Sequence, residues 1–473
     1  MGVLQEIEHH ILPSTQIASH YGTPSASIAI LENDDLETHV FGQNNEDCKT
    51  LYLADSLSKP VTAIAVARLV DRGLLTWESK LADFANVESF LHHPESASLI
   101  RYVTVQMLLT HTSGLVRKSN CDHPSHLHGF SRYACLRFNH LPGSEWHYDN
   151  EAYALVQLAM EAVSGKSLLE LINDLVARPL RMTRSSWGRL PPEESNYTLP
   201  HHAGKQLPLR TTFHDAELST RGMWSTPSDL LKVISASQKS LLGSSSFLRQ
   251  ETARHLLIDG VRSTKSVGES PQGLGVGWFV TSSTFGHRGG AAGDGHHCYM
   301  FGFHGGTVPE LQNTSFAAMT NSSEGIVAIR AILNAVMYLK LWPRQQLMPS
   351  SLGLDDTPPC AAPDTASLDS QWQEWVGKWA RDSQRGWSLV KVDGQPMLRF
   401  HDMEPVRLKL AAVPCLRLEH GKKEFEFVCP DLPGSAIRLT WLVDERVLEL
   451  FLSCSRVTLK READGDSAQV HRV

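Results

Sequence analysis

The chain has 473 residues, 41 % of them hydrophobic and 20 % charged, the composition of an ordinary soluble globular protein. A formal net charge of −7 with no basic stripe excludes a nucleic-acid binder that works by neutralising phosphates. No run of about 18 apolar residues is present to span a membrane, and the length exceeds what one core usually serves, so two domains are expected.

Met1 to His10 reads as an amphipathic first helix rather than a signal peptide, because it has neither a basic nor an apolar leader segment. Glu6 stands where a myristoylation signal needs Ser or Thr. The eight cysteines are scattered without a C-x-x-C pair and read as mostly free thiols of a cytoplasmic protein. Ser25 to Leu31 reads as a buried strand, paired with Glu37 to Gly42 across the Asn33-Asp34-Asp35 turn. A helix is predicted from about Ser56 to Arg72, with Val61, Ile64, Ala65, Leu69 and Val70 as its apolar stripe and Gly73 as its stop. Helical periodicity returns over Tyr153 to Val163 and Leu168 to Val176.

Residues 346–368 are rich in Pro, Ser and Asp and read as a linker. Beyond them, short alternating runs such as Trp387 to Val392, Glu424 to Phe427, Ile437 to Trp441 and Val447 to Phe451 are separated by turn signals such as Asp393-Gly394 and Pro433-Gly434. They predict a small antiparallel β barrel or sandwich. The expected organisation is therefore 1–345, a linker at 346–368, and an all-β domain at 369–473.

The first chemistry-bearing segment is Ser56-Leu57-Ser58-Lys59. On a helix, positions three apart share a face, so the hydroxyl and the amine fall within hydrogen-bond reach. A serine hydroxyl is a weak nucleophile until a base takes its proton. A helix N-terminus and burial both disfavour an ammonium ion, which is the condition for an amine to serve as that base. By itself this spacing is common, and a surface lysine beside a capping serine is the more frequent reading of it. Two further segments follow in order: Tyr148-Asp149-Asn150 and His287-Arg288-Gly289-Gly290.

Together with Leu108-Leu109-Thr110-His111-Thr112-Ser113-Gly114-Leu115 and Leu141-Pro142-Gly143, these motifs resemble the serine β-lactamase and penicillin-binding-protein superfamily. They are most similar to its class C β-lactamase, esterase and D-aminopeptidase branch. The resemblance covers roughly residues 10 to 340. It implies an α/β (α+β) fold: an antiparallel sheet flanked by helices, with a helical insert carrying Tyr148. It implies that Ser56 is the nucleophile, with Lys59 and Tyr148 moving protons between it and the leaving group. A phenol is a poor base at neutral pH because its anion is scarce, and an adjacent ammonium stabilises that anion.

Asn150 would hydrogen-bond the substrate or hold Lys59, or cap the helix that follows; both roles are compatible. The backbone N–H of Gly290, with that of Ser56, would form the oxyanion hole, and Gly289 would let the strand approach closely. His287 stands where the β-lactamases carry lysine, so the resemblance does not imply recognition of a substrate carboxylate by a fixed cation at this position. Arg288 either supplies that charge or points to solvent. His111 belongs to a structural stretch of the family and is not expected to be catalytic. Cys121 to His128 has the residue types of a metal site but lies where this fold places a loop over the active site, and a lid is the preferred reading. His296, His297 and His304 are read as pocket lining.

The resemblance thus implies a serine acyl hydrolase or acyl transferase acting on a small-molecule ester, thioester or amide. Secondary-metabolite biosynthesis and a carrier-protein-bound acyl donor are within its scope. No metal or organic cofactor is implied, nor any nucleic-acid or membrane partner, and the oligomeric state is left open. The C-terminal domain resembles the lipocalin-like module of some esterases and peptidases of the fold. The alternatives are a non-hydrolytic cyclisation or elimination by acid–base chemistry in the same pocket, and a silent binding scaffold.

Overall fold

The computed structural model describes residues 2–42, 46–84, 98–117, 136–202, 204–209, 213, 218–259, 262–263, 273–290, 295–306 and 308–343. It also describes the backbone of ten strands between 377 and 461.

The organising element is an eight-stranded sheet. Its strands in chain order are β1 (Ser25–Glu32), β2 (Asp35–Gly42), β3 (Arg262–Ser263), β4 (Gly273–Leu274), β5 (Phe279–Val280), β6 (Thr284–Gly290), β7 (His297–Phe303) and β8 (Thr314–Thr320). They lie side by side as β3-β4-β5-β6-β7-β8-β1-β2, every pair antiparallel. The first hairpin follows from its turn chemistry. Glu32 pairs with Asp35, and the two residues between, Asn33 and Asp34, both take the left-handed conformation at φ 49° and 71°. Asn and Asp tolerate that region better than other side chains, and a two-residue turn of this hand suits the twist of the strands it joins.

Alternation along the central strands builds two cores. In β7, Tyr299, Phe301 and Phe303 face one hydrophobic cluster while Cys298 and Met300 face the other. In β8, Phe316 and Ala318 oppose Ala317 and Met319 in the same way. The first face is covered by α1 (Val3–His10), α2 (Ser14–Tyr21) and the long helix Gly325–Lys340. The second face is covered by α3 (Ser58–Asp71), α4 (Asn150–Ser164) and α5 (Pro227–Leu241). The central strands β1, β7 and β8 are buried on both faces, which explains why Ile28 to Leu31 of β1 reads as a continuous apolar run. The expected α/β fold, an antiparallel sheet between helical layers, is what the chain adopts.

Two expected helices differ in detail. The segment predicted from Ser56 begins as a 3₁₀ turn, Asp55–Leu57, before α3. The one predicted over Leu168 to Val176 is α-helical only to Ile172 and continues as a π turn, Asn173–Ala177. Its start is a capping box between Ser167 and Glu170.

The linker expected at 346–368 lies outside the described residues. Beyond it, ten antiparallel strands run from Gly377 to Arg461. Val406–Arg407 pairs with Gln395–Phe400, and Lys409–Leu410, after a single intervening residue, pairs with Lys422–Val428. The two ends of this sheet therefore meet in one chain segment.

Candidate active site

The nucleophile turn is fixed from behind by hydroxyl groups. Ala54 N–H donates to Met223 O at 2.8 Å, and Asp55 takes the left-handed conformation at φ 45°, turning the chain sharply into the helix. Ser58 Oγ donates to Asp55 O at 2.7 Å and accepts from Met223 N–H at 3.1 Å. Thr62 Oγ1 lies 3.0 Å from both Ser58 O and Ser219 O. These bonds tie α3 to the short helical turn Leu218–Arg221, whose Thr220 carbonyl is thereby held against Lys59.

Lys59 is wholly buried, while Ser56 is partly open. Lys59 Nζ donates to Ser56 Oγ at 3.1 Å and to Thr220 O at 3.2 Å. It also lies 5.0 Å from the centre of the Tyr148 ring and 5.7 Å from that of Tyr153. Tyr153 donates its hydroxyl to Leu109 O at 3.0 Å. Its phenol is held well above the usual range by burial, so it acts as a neutral wall. The two rings and the lysine's own alkyl stem exclude water from the amine.

Tyr148 stands on His111. Their ring centres are 4.4 Å apart, and His111 Nδ1 accepts from the Asp149 N–H at 3.1 Å. Burial, and then Lys59, hold the His111 imidazole well below its ordinary range, so it is neutral, and accepting at Nδ1 leaves its proton on Nε2. His111 is thus a support for the tyrosine, with no contact of its own to Ser56 among those described. The helix cap expected of Asn150 is made by Asp149, whose Oδ1 accepts from Glu151 N–H at 2.9 Å. Asn150 is the first helical residue, and its buried Oδ1 has no hydrogen-bond partner among the described residues. Among the described residues Lys59 bonds the Thr220 carbonyl and Ser56, with no hydrogen bond to Asn150. Burial raises Asp149 to about 7.

Strand β6 closes the other side. A Cβ at Gly289 would lie 2.3 Å from Ala54 O, 2.5 Å from Cys298 Sγ and 3.1 Å from Ser56 N, so only glycine lets the strand reach the nucleophile turn. Gly290, at φ 151°, would place a Cβ 2.4 Å from the His297 ring. His287 is buried, its ring centre 6.4 Å from that of Tyr148, and its Nδ1 is 2.6 Å from Arg288 O. A carbonyl only accepts, so Nδ1 carries the proton. Burial, and then the Lys59 charge, push His287 down to about 3, leaving a neutral ring whose Nε2 can only accept. Arg288 is half-buried, and its charge helps burial depress His297 to about 4.

One assignment meets a different arrangement. The Gly290 N–H, expected in the oxyanion hole, donates at 2.9 Å to Asp55 Oδ2. That same oxygen is 3.4 Å from Ser56 Oγ. Sequence reading passed over Asp55, Thr220 and Tyr153. Only Asp55 carried a signal, its place next to the nucleophile.

The remaining histidines bond to groups other than Ser56, Lys59 and Tyr148, although the His297 ring borders Gly290. His296 Nε2 contacts Thr198 Oγ1 at 3.2 Å, His297 Nδ1 contacts Ser322 O at 3.3 Å, and His304 Nε2 contacts Thr281 O at 3.0 Å. Residues 121–128 lie outside the described residues. Among those described, no group of three or more His, Cys, Asp or Glu side chains is placed to hold a metal ion. What is assembled is a hydroxyl, an amine and a phenol around one partly open point, the parts of acyl transfer through a covalent intermediate.

Residues 13–336 match the family model described as Beta-lactamase. The chain is 24 % identical over 290 residues to the D-alanyl-D-alanine-carboxypeptidase/endopeptidase AmpH of Escherichia coli (strain K12), covering 56 % of this chain and 70 % of that protein. It is 29 % identical over 183 residues to the esterase EstB of Burkholderia gladioli, covering 34 % and 44 %. The octameric penicillin-binding protein homologue from Pyrococcus abyssi superposes with a TM-score of 0.58 at 17 % identity, over 94 % of this chain and 97 % of that one. This last likeness is one of fold.

Proposed function

Because the chain belongs to the beta-lactamase family, we propose that it is a serine acyl hydrolase or acyl transferase in which Ser56 forms an acyl-enzyme. The observation that carries this reading is the 3.1 Å contact between Ser56 Oγ and the wholly buried Lys59 Nζ, with the Tyr148 ring packed over the same amine. The relatives support the chemistry, since one is named a carboxypeptidase/endopeptidase and another an esterase.

In the acylation step, Ser56 Oγ bonds to the carbonyl carbon as its proton passes to Lys59 in the neutral-amine state. Tyr148, beside that amine, relays a proton to the departing alcohol, thiol or amine as the carbonyl–heteroatom bond breaks. Water, or an acceptor alcohol or amine, then reverses these transfers and frees Ser56. The neutral His287 bears on the substrate class: an imidazole held down to about 3 offers no cation to a substrate carboxylate at neutral pH. This favours uncharged esters, thioesters and amides over carboxylate-bearing antibiotics.

The finer reading is acyl transfer in secondary metabolism, with a small-molecule or carrier-protein-bound donor, in the cytoplasm. No described helix is long and apolar enough to cross a membrane. The antiparallel strands from Gly377 to Arg461 are compatible with a lipocalin-like module, whose place in this reading is to shape substrate access.

Turnover of p-nitrophenyl butyrate by wild type and Ser56→Ala, with and without an added alcohol acceptor, tests both levels. Turnover lost in Ser56→Ala establishes the nucleophile, and butyrate ester formed at the expense of free acid establishes transfer. Undiminished turnover in Ser56→Ala would instead favour acid–base chemistry without an acyl-enzyme.

A further inference from the structure

The Asp55 carboxylate lies where a substrate oxygen is expected. Its Oδ2 accepts from Gly290 N–H at 2.9 Å and sits 3.4 Å from Ser56 Oγ. Its other oxygen, Oδ1, is buried, accepts no hydrogen bond among the described residues, and faces Arg221 Nε across 3.8 Å. The backbone holds the side chain there: Asp55 is 2 % exposed, has φ 45°, and is followed at once by the 3₁₀ turn that carries Ser56. An oxyanion forming at the carbon attached to Ser56 Oγ needs the Gly290 N–H that Asp55 already engages. It would also develop within a few ångströms of a carboxylate oxygen. Two negative charges cannot share that amide, so one must leave.

We propose that Asp55 is a built-in occupant of the oxyanion site, a gate that the substrate carbonyl opens by driving the carboxylate from the Gly290 amide toward Arg221. The proposal rests on the reading of Ser56 as nucleophile. In the closed state the carboxylate mimics the transition-state oxygen and holds strand β6 against the nucleophile turn. In the open state it shortens the ion pair that already spans 3.8 Å, and the amide is released to the substrate. Arg221 is the positioning residue for the open state: its half-buried guanidinium is the cation that receives the displaced charge. The gate lowers the reactivity of the resting serine.

The experiment is a double-mutant cycle read as the rate of Ser56 phosphonylation by an alkyl fluorophosphonate, followed by intact mass, with a melting curve for each protein. The variants are Asp55→Gly, Asp55→Asn, Arg221→Gln and the Asp55→Gly/Arg221→Gln double. Asp55→Gly is expected to react about tenfold faster or more, the scale of one charge-assisted hydrogen bond that no longer has to be broken. Asp55→Asn keeps the shape and the left-handed turn while removing the charge, and is expected between wild type and Asp55→Gly. It also carries the test if the glycine variant folds poorly. Arg221→Gln is expected to slow the wild-type background several-fold and to be silent once Asp55 is gone. Slower labelling of both Asp55 variants at unchanged melting temperature would overturn the gate and make Asp55 an aid to the nucleophile. Equal slowing by Arg221→Gln in both backgrounds would overturn it too. Labelling absent from every protein would defeat the Ser56 reading and the gate with it, whereas a labelled wild type that Asp55→Gly does not outpace defeats the gate alone.

Discussion

Gly289→Ala is the substitution that most sharply tests how β6 serves the site. The added methyl would meet Ala54 O at 2.3 Å, Cys298 Sγ at 2.5 Å and Ser56 N at 3.1 Å. An ordinary carbon–oxygen approach is about 3.3 Å, so strand and nucleophile turn must separate by roughly 1 Å. The sulfur can rotate, but Ala54 O and Ser56 N belong to backbone pinned by the Ser58 and Met223 hydrogen bonds. Overpacking of this kind costs about 1–3 kcal/mol, and a displacement of about 1 Å between reacting groups costs about a hundredfold in rate. The expected result is a fall in kcat/KM on p-nitrophenyl butyrate of about a hundredfold, with only a few degrees lost in Tm. Gly73→Ala is the control. Gly73 ends α3 at φ 72° with nothing within 4 Å of the added methyl, so it should cost about 1–2 kcal/mol of stability and leave kcat/KM intact. A Gly289→Ala enzyme with wild-type kcat/KM, or a Gly73→Ala enzyme equally impaired, would refute the argument that close strand approach is what glycine supplies here.

Lys59→Met keeps a buried chain of similar shape and removes the amine; Ser56 acylation, measured by single-turnover burst, should fall by about 10²–10⁴-fold while the melting curve stays cooperative. Ser58→Ala removes the hydroxyl that bonds Asp55 O and Met223 N–H, and chemical denaturation should show a loss of about 1–3 kcal/mol because both groups are buried. The buried histidines set a pH trend. His287 is depressed to about 3, His297 to about 4 and His111 well below its ordinary 6.5, all first by burial. A depressed imidazole contributes stability that is present above 6.5 and lost as pH falls through the folded value, since the unfolded chain takes the proton first. Asp149 runs the other way: raised from 3.8 to about 7, it contributes stability that is present below 3.8 and lost as pH rises through 7. Three groups outweigh one, so Tm should fall from pH 7 to pH 5. Asp149→Asn, which preserves the cap, should make that fall steeper, and an unchanged slope would count against the buried carboxyl.

The parts of the fold legible in the sequence are those written in local pattern. The β1–β2 hairpin follows from its Asn-Asp turn, and α3 from its apolar stripe and the Gly73 stop. The C-terminal strands follow from period-two alternation. The three motifs that meet in the site were legible as residue types in order. What escaped was the pairing that only tertiary convergence creates. Thr220 holds Lys59 through a carbonyl, a group every residue has. The cap at α4 fell to Asp149 rather than Asn150, because Asp149 is the extended residue before the helix, at φ −136° and ψ 125°, and Asn150 is already helical. Asp55 was passed over although it adjoins Ser56, because nothing local shows that its carboxylate reaches an amide 235 residues further on. Those are long-range facts about direction, and residue identity alone does not encode them.

The account turns on a covalent bond at Ser56 Oγ. The most direct measurement is intact-mass and peptide-mapping mass spectrometry of wild type and Ser56→Ala, acid-quenched during turnover of p-nitrophenyl butyrate. The account predicts one butyryl group on wild type, located on the peptide that contains Ser56, and none on Ser56→Ala. Catalytic release of p-nitrophenol with no such adduct, or an adduct that persists in Ser56→Ala, would contradict it.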